Sequence, residues 1–366
     1  MTKKYLPVDI FQYLSGKVLG QEDVIRKISV AVYKHIQGLR SGNVLLIGNS
    51  GTGKTTIMKS IQQFYNEHEG LNPFRIMTIT NANMLMDQEG AINTILLFKN
   101  LESEVMAATG FKVTAEEMKE YIENATVCID EIDKISSKIS GKVNPAGISI
   151  QQSLLTLLEG ESILLETGLY DEDSKRKVKL HIDTSKMLFI CGGAFEELYE
   201  QVYTLIARHG DERVFRETAQ MDGQGGIRYK IGFTLKESLK LSDLFTYGMY
   251  PQFISRFSTI AVLDNLSKSD LKQIMLQADD SPYQYAREYF GSMGIELRIT
   301  DDALDWIATH ALEDLRIGAR ALREVFGRII ADFEYDPYQS EGITKTGDGK
   351  PILTIDKSIV ANHLTR

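Results

Sequence analysis

The chain has 366 residues, of which 43% are hydrophobic and 25% are charged, and its formal net charge is -9 at pH 7. This length and composition are typical of a globular protein with a sizeable core and about two domains. The acidic balance argues against a surface built mainly to hold nucleic acid, and the sequence lacks the run of about 18 apolar residues that a membrane-spanning helix needs.

The start of the chain, MTKKYLPVDIFQYL, lacks the long apolar core of a signal peptide. Cys128 and Cys191 are the two cysteines, and both lie in apolar, strand-like runs. They build neither a disulfide framework nor a Cys-based zinc site, so we expect buried thiols in a reducing compartment. The sequence therefore predicts a cytoplasmic protein.

Five short apolar runs with high β-propensity follow one another along the chain, separated by helix-like segments. They are residues 44–47, 74–79, 126–129, 187–190 and 259–263. This alternation predicts an α/β fold in which helices cover both faces of a parallel five-stranded sheet. Ligands of such sheets bind where the strands end at their carboxyl termini.

The first run leads directly into the octet GNSGTGKT, which fits the phosphate-loop pattern G-x-x-x-x-G-K-[ST]. Its glycines let consecutive backbone N–H groups turn toward phosphate oxygens, Lys54 supplies a cation for the β and γ phosphates, and the Thr55 hydroxyl is a candidate Mg²⁺ ligand. A flexible turn is the alternative, and the flanking strand and helix disfavour it. The predicted nucleotide-binding residues are Gly48, Asn49, Ser50, Gly51, Thr52, Gly53, Lys54, Thr55 and Thr56.

The third run ends in two acids, Asp130 and Glu131. On a strand expected next to the phosphate loop, Asp130 is a candidate Mg²⁺ ligand and Glu131 a candidate base for the water that attacks the γ-phosphate. The alternative is a solvated strand edge. The phosphate loop upstream favours the catalytic interpretation.

Two segments are rich in glycine or polar residues, at 136–147 and 221–233. We expect both to be mobile surface loops, with plain disorder as the alternative.

Helical patterns dominate after Leu263. SKSDLKQIML begins with residues that cap a first turn, and DDALDWIATHAL carries an apolar stripe at helical spacing. GARALREVFGRIIADF continues as helix, and PILTIDKSIVANHL predicts a short strand followed by a last helix. We therefore predict a large domain at residues 1–263 and a smaller, mainly helical domain at residues 264–366.

Several motifs in one order make the chain resemble the ClpX unfoldases of the AAA+ group. They are VLGQ, AVYKH, GNSGTGKT, IDEIDKI, QQSLLTLLEG, DTSKMLFICGGAF, YPQFISRF and GARALR, and together they extend from about residue 14 to the C-terminus. The resemblance implies an ATP- and Mg²⁺-dependent P-loop NTPase (AAA+) that remodels proteins.

The resemblance also implies roles for four residues outside the phosphate loop. Val18 and Leu19 match the adenine-pocket turn, although a hydrophobic staple is the alternative. Arg256 matches the arginine finger that reaches the γ-phosphate of a neighbouring subunit, and Arg320 matches the sensor arginine of the small domain. A surface ion pair is the alternative for both arginines. Sites completed in this way imply a homo-oligomer, a hexameric ring.

The tripeptide Ile231, Gly232 and Phe233 lies where ClpX-like proteins carry the apolar segment that docks on the ClpP peptidase. The resemblance therefore implies a ClpP-type peptidase as a possible partner beside the protein substrates. Packing of this tripeptide on its own domain is the alternative.

The sequence departs from the family in three places. We expect no N-terminal zinc domain, because the chain starts just before the ATPase core and lacks the cysteines. The expected aromatic pore loop is replaced by NMLMDQEGAIN, residues 83–93, and the second pore segment at residues 144–149 lacks the usual charges. The resemblance therefore does not extend to the residues with which the family grips its substrates.

These observations favour an ATP-driven ring that unfolds proteins and feeds a ClpP-type peptidase. The alternative is a dedicated AAA+ assembly or remodelling factor for one partner, without proteolysis. A P-loop kinase or a nucleic-acid motor is disfavoured, because the sequence shows neither an acceptor pocket nor a basic groove.

Overall fold

A computed structural model describes the chain over residues 5–85, 94–139, 141–170, 174–209, 216–221, 227–232, 234–313, 318–338, 343–345 and 349–364. Its contacts group into two compact units. The first unit contains residues 1–15, 23–48 and 54–263, and the second contains residues 16–22, 49–53 and 264–366.

The helices of the first unit are α1 (Pro7–Ser15), α2 (Glu22–Ile36), α3 (Lys54–Glu67), α4 (Thr94–Ala108), α5 (Ala115–Glu123), α6 (Pro145–Glu159), α7 (Glu196–His209), α8 (Leu235–Ser238), α9 (Leu241–Tyr247) and α10 (Pro251–Ile254). Its strands are β1 (Asn43–Ile47), β2 (Met77–Asn81), β3 (Thr126–Asp130), β4 (Lys138–Ile139), β5 (Lys142–Val143), β6 (Ser162–Tyr170), β7 (Lys177–Asp183), β8 (Leu188–Gly193), β9 (Arg216–Met221), β10 (Ile227–Gly232) and β11 (Phe257–Val262). Short 3-10 turns lie at Asn72–Phe74, Ala82–Leu85, Ile132–Ile135 and Thr184–Lys186.

The core of the first unit is a five-stranded sheet in the order β11-β1-β8-β3-β2, with every neighbouring pair parallel. Strands β1 and β8 are buried along their whole length, as expected for parallel strands that have helices on both faces. This confirms the predicted α/β fold. Cys128 and Cys191 are buried free thiols within it, as predicted.

Two details of the predicted sheet are wrong. The second strand begins at Met77 and not at residue 74, because Pro73 favours the 3-10 turn Asn72–Phe74 that precedes it. The strand β3 is also not the neighbour of β1, because β8 lies between them. Asp130 is therefore one strand further from the phosphate loop than the sequence suggested.

Among the residues that the structure describes, three antiparallel hairpins accompany the sheet: β4 with β5, β9 with β10, and the longer β6 with β7. The loop prediction for residues 136–147 is wrong, because this segment contains β4, β5 and the start of α6. In the segment 221–233 the described residues continue the β9–β10 ladder. Inter-strand hydrogen bonds thus overrode the local glycine signal.

The second unit contains α11 (Lys268–Gln277), α12 (Pro282–Ser292), β12 (Glu296–Ile299), α13 (Asp301–Ala311), α14 (Arg320–Tyr335), β13 (Ile343–Lys345), β14 (Pro351–Ile355) and α15 (Lys357–Leu364). The predicted cap of α11 is present, since Ser267 and Asp270 form a capping box. The apolar stripe of α13 is buried as predicted. A small sheet in the order β12-β14-β13 contains the predicted strand β14.

The predicted domain limits at residues 263 and 264 stay a prediction.

Among the described helices, none has both the length and the apolar character that crossing a membrane requires.

Candidate nucleotide site

The phosphate loop joins the end of β1 at Ile47 to the start of α3 at Lys54. Gly51 and Gly53 have φ angles of 70° and 106°, in the region that favours glycine. The Thr52 hydroxyl donates a hydrogen bond of 2.8 Å to the carbonyl of Asn49, which closes the turn. The loop therefore has the backbone conformation that directs N–H groups toward a bound anion.

Lys54 is the first residue of α3, and only 8% of it is exposed. Its ammonium group donates a 2.5 Å hydrogen bond to the carbonyl of Gly48, at the beginning of the same loop. This hydrogen bond directs the ammonium group of Lys54 back toward the start of the loop. Thr56, two residues later on α3, is exposed.

Thr55 and Asp130 are brought together although they come from different elements. The hydroxyl of Thr55 on α3 donates a 2.7 Å hydrogen bond to Oδ2 of Asp130 at the end of β3. A hydroxyl and a carboxylate are the hard oxygen ligands that Mg²⁺ prefers. The donor set therefore fits the predicted metal ion.

Glu131 has an unusual backbone, with φ 58° and ψ 36°. This left-handed conformation is uncommon for a residue other than glycine, and it concentrates at functional sites. The N–H of Glu131 donates a 2.9 Å hydrogen bond to Oδ1 of Asp130. Glu131 is exposed at the end of β3, directly beside the Thr55–Asp130 pair.

Gly192 on β8 contributes to the site, and the sequence analysis assigned it no role. A Cβ atom at Gly192 would lie 3.1 Å from the Met58 methyl group, 3.4 Å from Oδ1 of Asp130 and 3.7 Å from Cδ of Lys54. Gly192 on β8, between β1 and β3, therefore lies beside both Lys54 and Asp130, and an added methyl group would be tight only against the Met58 methyl group. Two adjacent glycines at the end of an apolar run were the sequence signal.

In the second unit, Val18 is buried and Leu19 is half-buried. A Cβ atom at Gly53 would lie 3.5 Å from Cγ1 of Val18, so the Val18 side chain lies close to the phosphate loop. Gln21 is a residue that the sequence analysis missed. Its amide donates to the carbonyls of Thr52 at 3.2 Å and Asp264 at 2.8 Å.

Arg320 is exposed and begins α14. The residue before it, Ala319, donates its N–H to the carbonyl of Gly51 over 3.1 Å. Gly318 is so close to the loop that a Cβ atom there would lie 2.7 Å from the Ser50 carbonyl oxygen. Within the second unit, the backbone leading to Arg320 is thus attached to the phosphate loop.

Arg256 follows α10 and precedes β11. Its guanidinium forms an ion pair with Glu159 at the end of α6, and its carbonyl accepts a 3.0 Å hydrogen bond from Asn43. Within the described part of the first unit, the Arg256 side chain is thus paired with Glu159.

The two remaining predictions concern partner and substrate contacts. Ile231 and Gly232 lie on β10, opposite Glu217 and Arg216 of β9, and Phe233 lies outside the described residues. In the predicted pore segment, Met84 is exposed and residues 86–93 lie outside the described part of the chain. The second pore segment contains the start of α6.

Comparisons with known proteins agree with this geometry. The family model for the AAA domain (Cdc48 subfamily) matches residues 39–260, and the model for the C-terminal, D2-small domain, of ClpB protein matches residues 266–345. The first match covers more than half of the chain and contains the phosphate loop, Asp130, Glu131 and Arg256.

Three relatives share the printed name ATP-dependent Clp protease ATP-binding subunit ClpX. The protein from Porphyromonas gingivalis is 27% identical over 98% of this chain and 82% of its own length, and that from Borrelia duttonii is 29% identical over 97% and 79%. The protein from Azotobacter vinelandii is 31% identical over 87% of this chain and 71% of its own length. The chain is thus an ATPase that belongs to the AAA+ family and, within it, to the ATP-dependent Clp chaperones of the ClpX type.

Proposed function

We propose that this chain unfolds or remodels protein substrates as part of an ATP-hydrolysing ring. The observation that carries the proposal is the hydrogen bond from Thr55 to Asp130, with Glu131 in a left-handed conformation directly beside it. This arrangement supplies a metal site and a carboxylate at the end of a phosphate loop. The relatives named above support the remodelling function.

In the proposed reaction the loop residues 48–56 hold the phosphates of ATP, and Lys54 neutralises charge on the β and γ phosphates. Thr55 and Asp130 would hold Mg²⁺, which withdraws charge from the phosphate oxygens when bound. Glu131 orients the attacking water and accepts its proton. Val18 and Leu19 contact the adenine base.

Two arginines complete the proposed site. Arg256 of one protomer stabilises the charge that develops on the γ-phosphate held by its neighbour, and Arg320 senses the nucleotide in its own protomer. A finger supplied in trans requires a closed assembly, and we propose a hexameric ring. Residues 1–263 and 264–366 would be the large and small domains of each protomer.

The proposal extends to a peptidase partner. Ile231, Gly232 and Phe233 would dock on a ClpP-type peptidase in the cytoplasm. The alternative is a remodelling factor that acts without proteolysis. The pore segment favours this alternative, because it presents Met84 where an aromatic residue was expected, and 70% of Met84 is exposed.

The substitution Glu131→Gln tests the ATPase site. It removes the base but keeps the size of the side chain, so we expect ATP binding to persist while kcat falls by about 100-fold or more. ATP binding and steady-state hydrolysis are measured with Glu116→Gln as the control, since Glu116 is an exposed glutamate in the first turn of α5. A Glu131→Gln protein that hydrolyses ATP at the wild-type rate would contradict the proposal.

The Glu131→Gln variant also distinguishes delivery to a peptidase from remodelling without proteolysis. Immobilised Glu131→Gln protein, held with ATP, is mixed with an unfolded model protein and with a purified ClpP-type peptidase. Retention of both proteins supports delivery to a peptidase, and retention of the model protein alone supports the remodelling factor. Retention of neither contradicts a protein-remodelling function.

A further inference from the structure

The ion pair between Arg256 and Glu159 involves the arginine that is proposed to act on a neighbouring protomer. The two residues are 97 positions apart in sequence, and 43% of the Arg256 side chain and 32% of the Glu159 side chain are exposed. A second molecule can therefore reach the pair. Glu159 has no role in the site described above.

The backbone that carries Glu159 is firmly held. Gly160 ends α6 in the left-handed conformation, and a Cβ atom there would lie 2.7 Å from Cβ of Ser185. The hydroxyl of Thr184 donates a 3.0 Å hydrogen bond to the carbonyl of Leu157. The last turn of α6 is thus anchored from outside the helix.

The backbone that carries Arg256 is attached to the same helix at two points. The buried amide of Asn43 donates to the carbonyls of both Leu158, at 3.4 Å, and Arg256, at 3.0 Å. Further along α6, the buried side chain of Gln151 accepts a 2.8 Å hydrogen bond from the N–H of Tyr250, just before α10. Because both backbones are held, the parts that can move are the two side chains, and that of Arg256 is the longer.

Electrostatics at the end of α6 favours a cation. Glu159 occupies the last turn of the helix, where the macrodipole already carries partial negative charge, so the arginine relieves an unfavourable arrangement. An exposed ion pair contributes little stability, however, whereas a triphosphate presents more charge and more acceptor oxygens. Phosphate on a neighbouring protomer would therefore displace the carboxylate.

We propose that Glu159 is a positioning residue that holds the Arg256 guanidinium within its own protomer until a neighbour presents ATP. The inference rests on the proposed role of Arg256. ATP that binds at an interface must first displace the Glu159 carboxylate from the Arg256 guanidinium. The ion pair thus raises the ATP concentration at which the ring becomes active.

The test compares Glu159→Gln with Glu161→Gln at one protein concentration. Glu161 is an exposed glutamate two positions further on, so both variants lose the same charge in nearly the same place. Glu159→Gln is expected to lower the KM for ATP about two- to fivefold, the range that an exposed ion pair permits, while Glu161→Gln leaves it unchanged. A purely structural role would lower kcat and the unfolding temperature without lowering KM.

A double substitution identifies the partner of Glu159. In the Arg256→Ala background, where little hydrolysis remains, adding Glu159→Gln is expected to leave the equilibrium Kd for an ATP analogue unchanged. Glu159→Ala, which leaves no hydrogen-bonding group, serves as a second variant if Glu159→Gln folds poorly. An unchanged KM in the folded single variant overturns the inference, as does a shift that persists without Arg256.

The same data distinguish this inference from the proposed function. If Arg256→Ala keeps the wild-type kcat, the arginine-finger role itself is wrong. If Arg256→Ala loses activity while Glu159→Gln leaves KM unchanged, Glu159 alone is misassigned.

Discussion

At the scale of single residues, the candidate site depends on glycines that allow close approach. Gly192 lies beside Lys54 and Asp130, and Gly318 leaves room for the carbonyl of Ser50. Neither residue contributes a functional group. The role of Gly318 is to let backbone groups approach to distances that a methyl group would prevent.

We predict that Gly318→Ala weakens ATP binding and destabilises the second unit by about 1–3 kcal/mol. The residue has φ 55°, and the added Cβ would lie 2.7 Å from the Ser50 oxygen and 2.9 Å from the Gly51 carbonyl carbon, both of which are backbone atoms. Thermal unfolding and equilibrium binding of an ATP analogue provide the measurements.

The matched control is Gly327→Ala in the interior of α14. A Cβ atom there meets nothing within 4 Å, so alanine is expected to stabilise the helix by about 1 kcal/mol. If both variants bind the nucleotide equally well, the contact between Gly318 and the phosphate loop has no bearing on the site.

At the scale of elements, the sequence was sufficient wherever the signal is local. The five sheet strands were predicted because each is a short apolar run separated from the next by helix-like residues. A cap by Ser or Asp at the start of α11 was predicted from SKSDLKQIML, and the structure has it as a capping box. The β6–β7 hairpin was missed. Its residues alternate between exposed and buried positions, and the exposed Leu164 interrupts the polar face that would reveal this pattern.

Non-local contacts explain what the sequence analysis could not predict in the site. The position of β8 between β1 and β3 is a matter of strand order, and no local sequence pattern specifies strand order. The hydrogen bonds of Gln21 to Thr52 and Asp264 join residues that are 31 and 243 positions away. The phosphate loop was predicted because its motif consists of eight consecutive residues.

The contact between α2 and the end of α5 leads to a prediction about pH. His35 is buried, and its Nε2 lies 3.0 Å from the carbonyl of Asn124, so this nitrogen donates its proton. Burial lowers the pKa of His35 from 6.5 to about 4. Between about pH 6.5 and pH 4, the unfolded chain therefore binds a proton on His35 that the folded chain does not bind. The free energy of unfolding decreases as the pH falls through this range.

We expect His35 to lower the free energy of unfolding of the wild type by roughly 2 kcal/mol when the pH falls from 7 to 5. His35→Gln does not titrate, so the stability difference between wild type and variant should shrink by that amount at pH 5. Burial also raises the pKa of Glu104 to about 7, which acts in the opposite direction, but both proteins carry Glu104 and the comparison cancels it. Urea unfolding at the two pH values is the measurement. A constant difference would contradict the burial of neutral His35.

At the scale of the whole molecule, the central claim is that one hydrolytic site needs two protomers. Glu131 and the phosphate loop would come from one protomer, and Arg256 from the next. The proposed release of Arg256 from Glu159 would then make activity depend on ATP at each interface. Either Glu131→Gln or Arg256→Ala alone should abolish most hydrolysis.

Mixing these two inactive variants tests the claim most directly. Wherever an Arg256→Ala protomer binds ATP beside a Glu131→Gln protomer that supplies Arg256, a complete site forms. Random assembly at equal concentrations should restore about a quarter of the wild-type ATPase activity, since about a quarter of the interfaces have the productive order. Activity no higher than that of the two variants measured separately, from mixtures shown by sedimentation to contain both proteins in one assembly, would contradict a shared site.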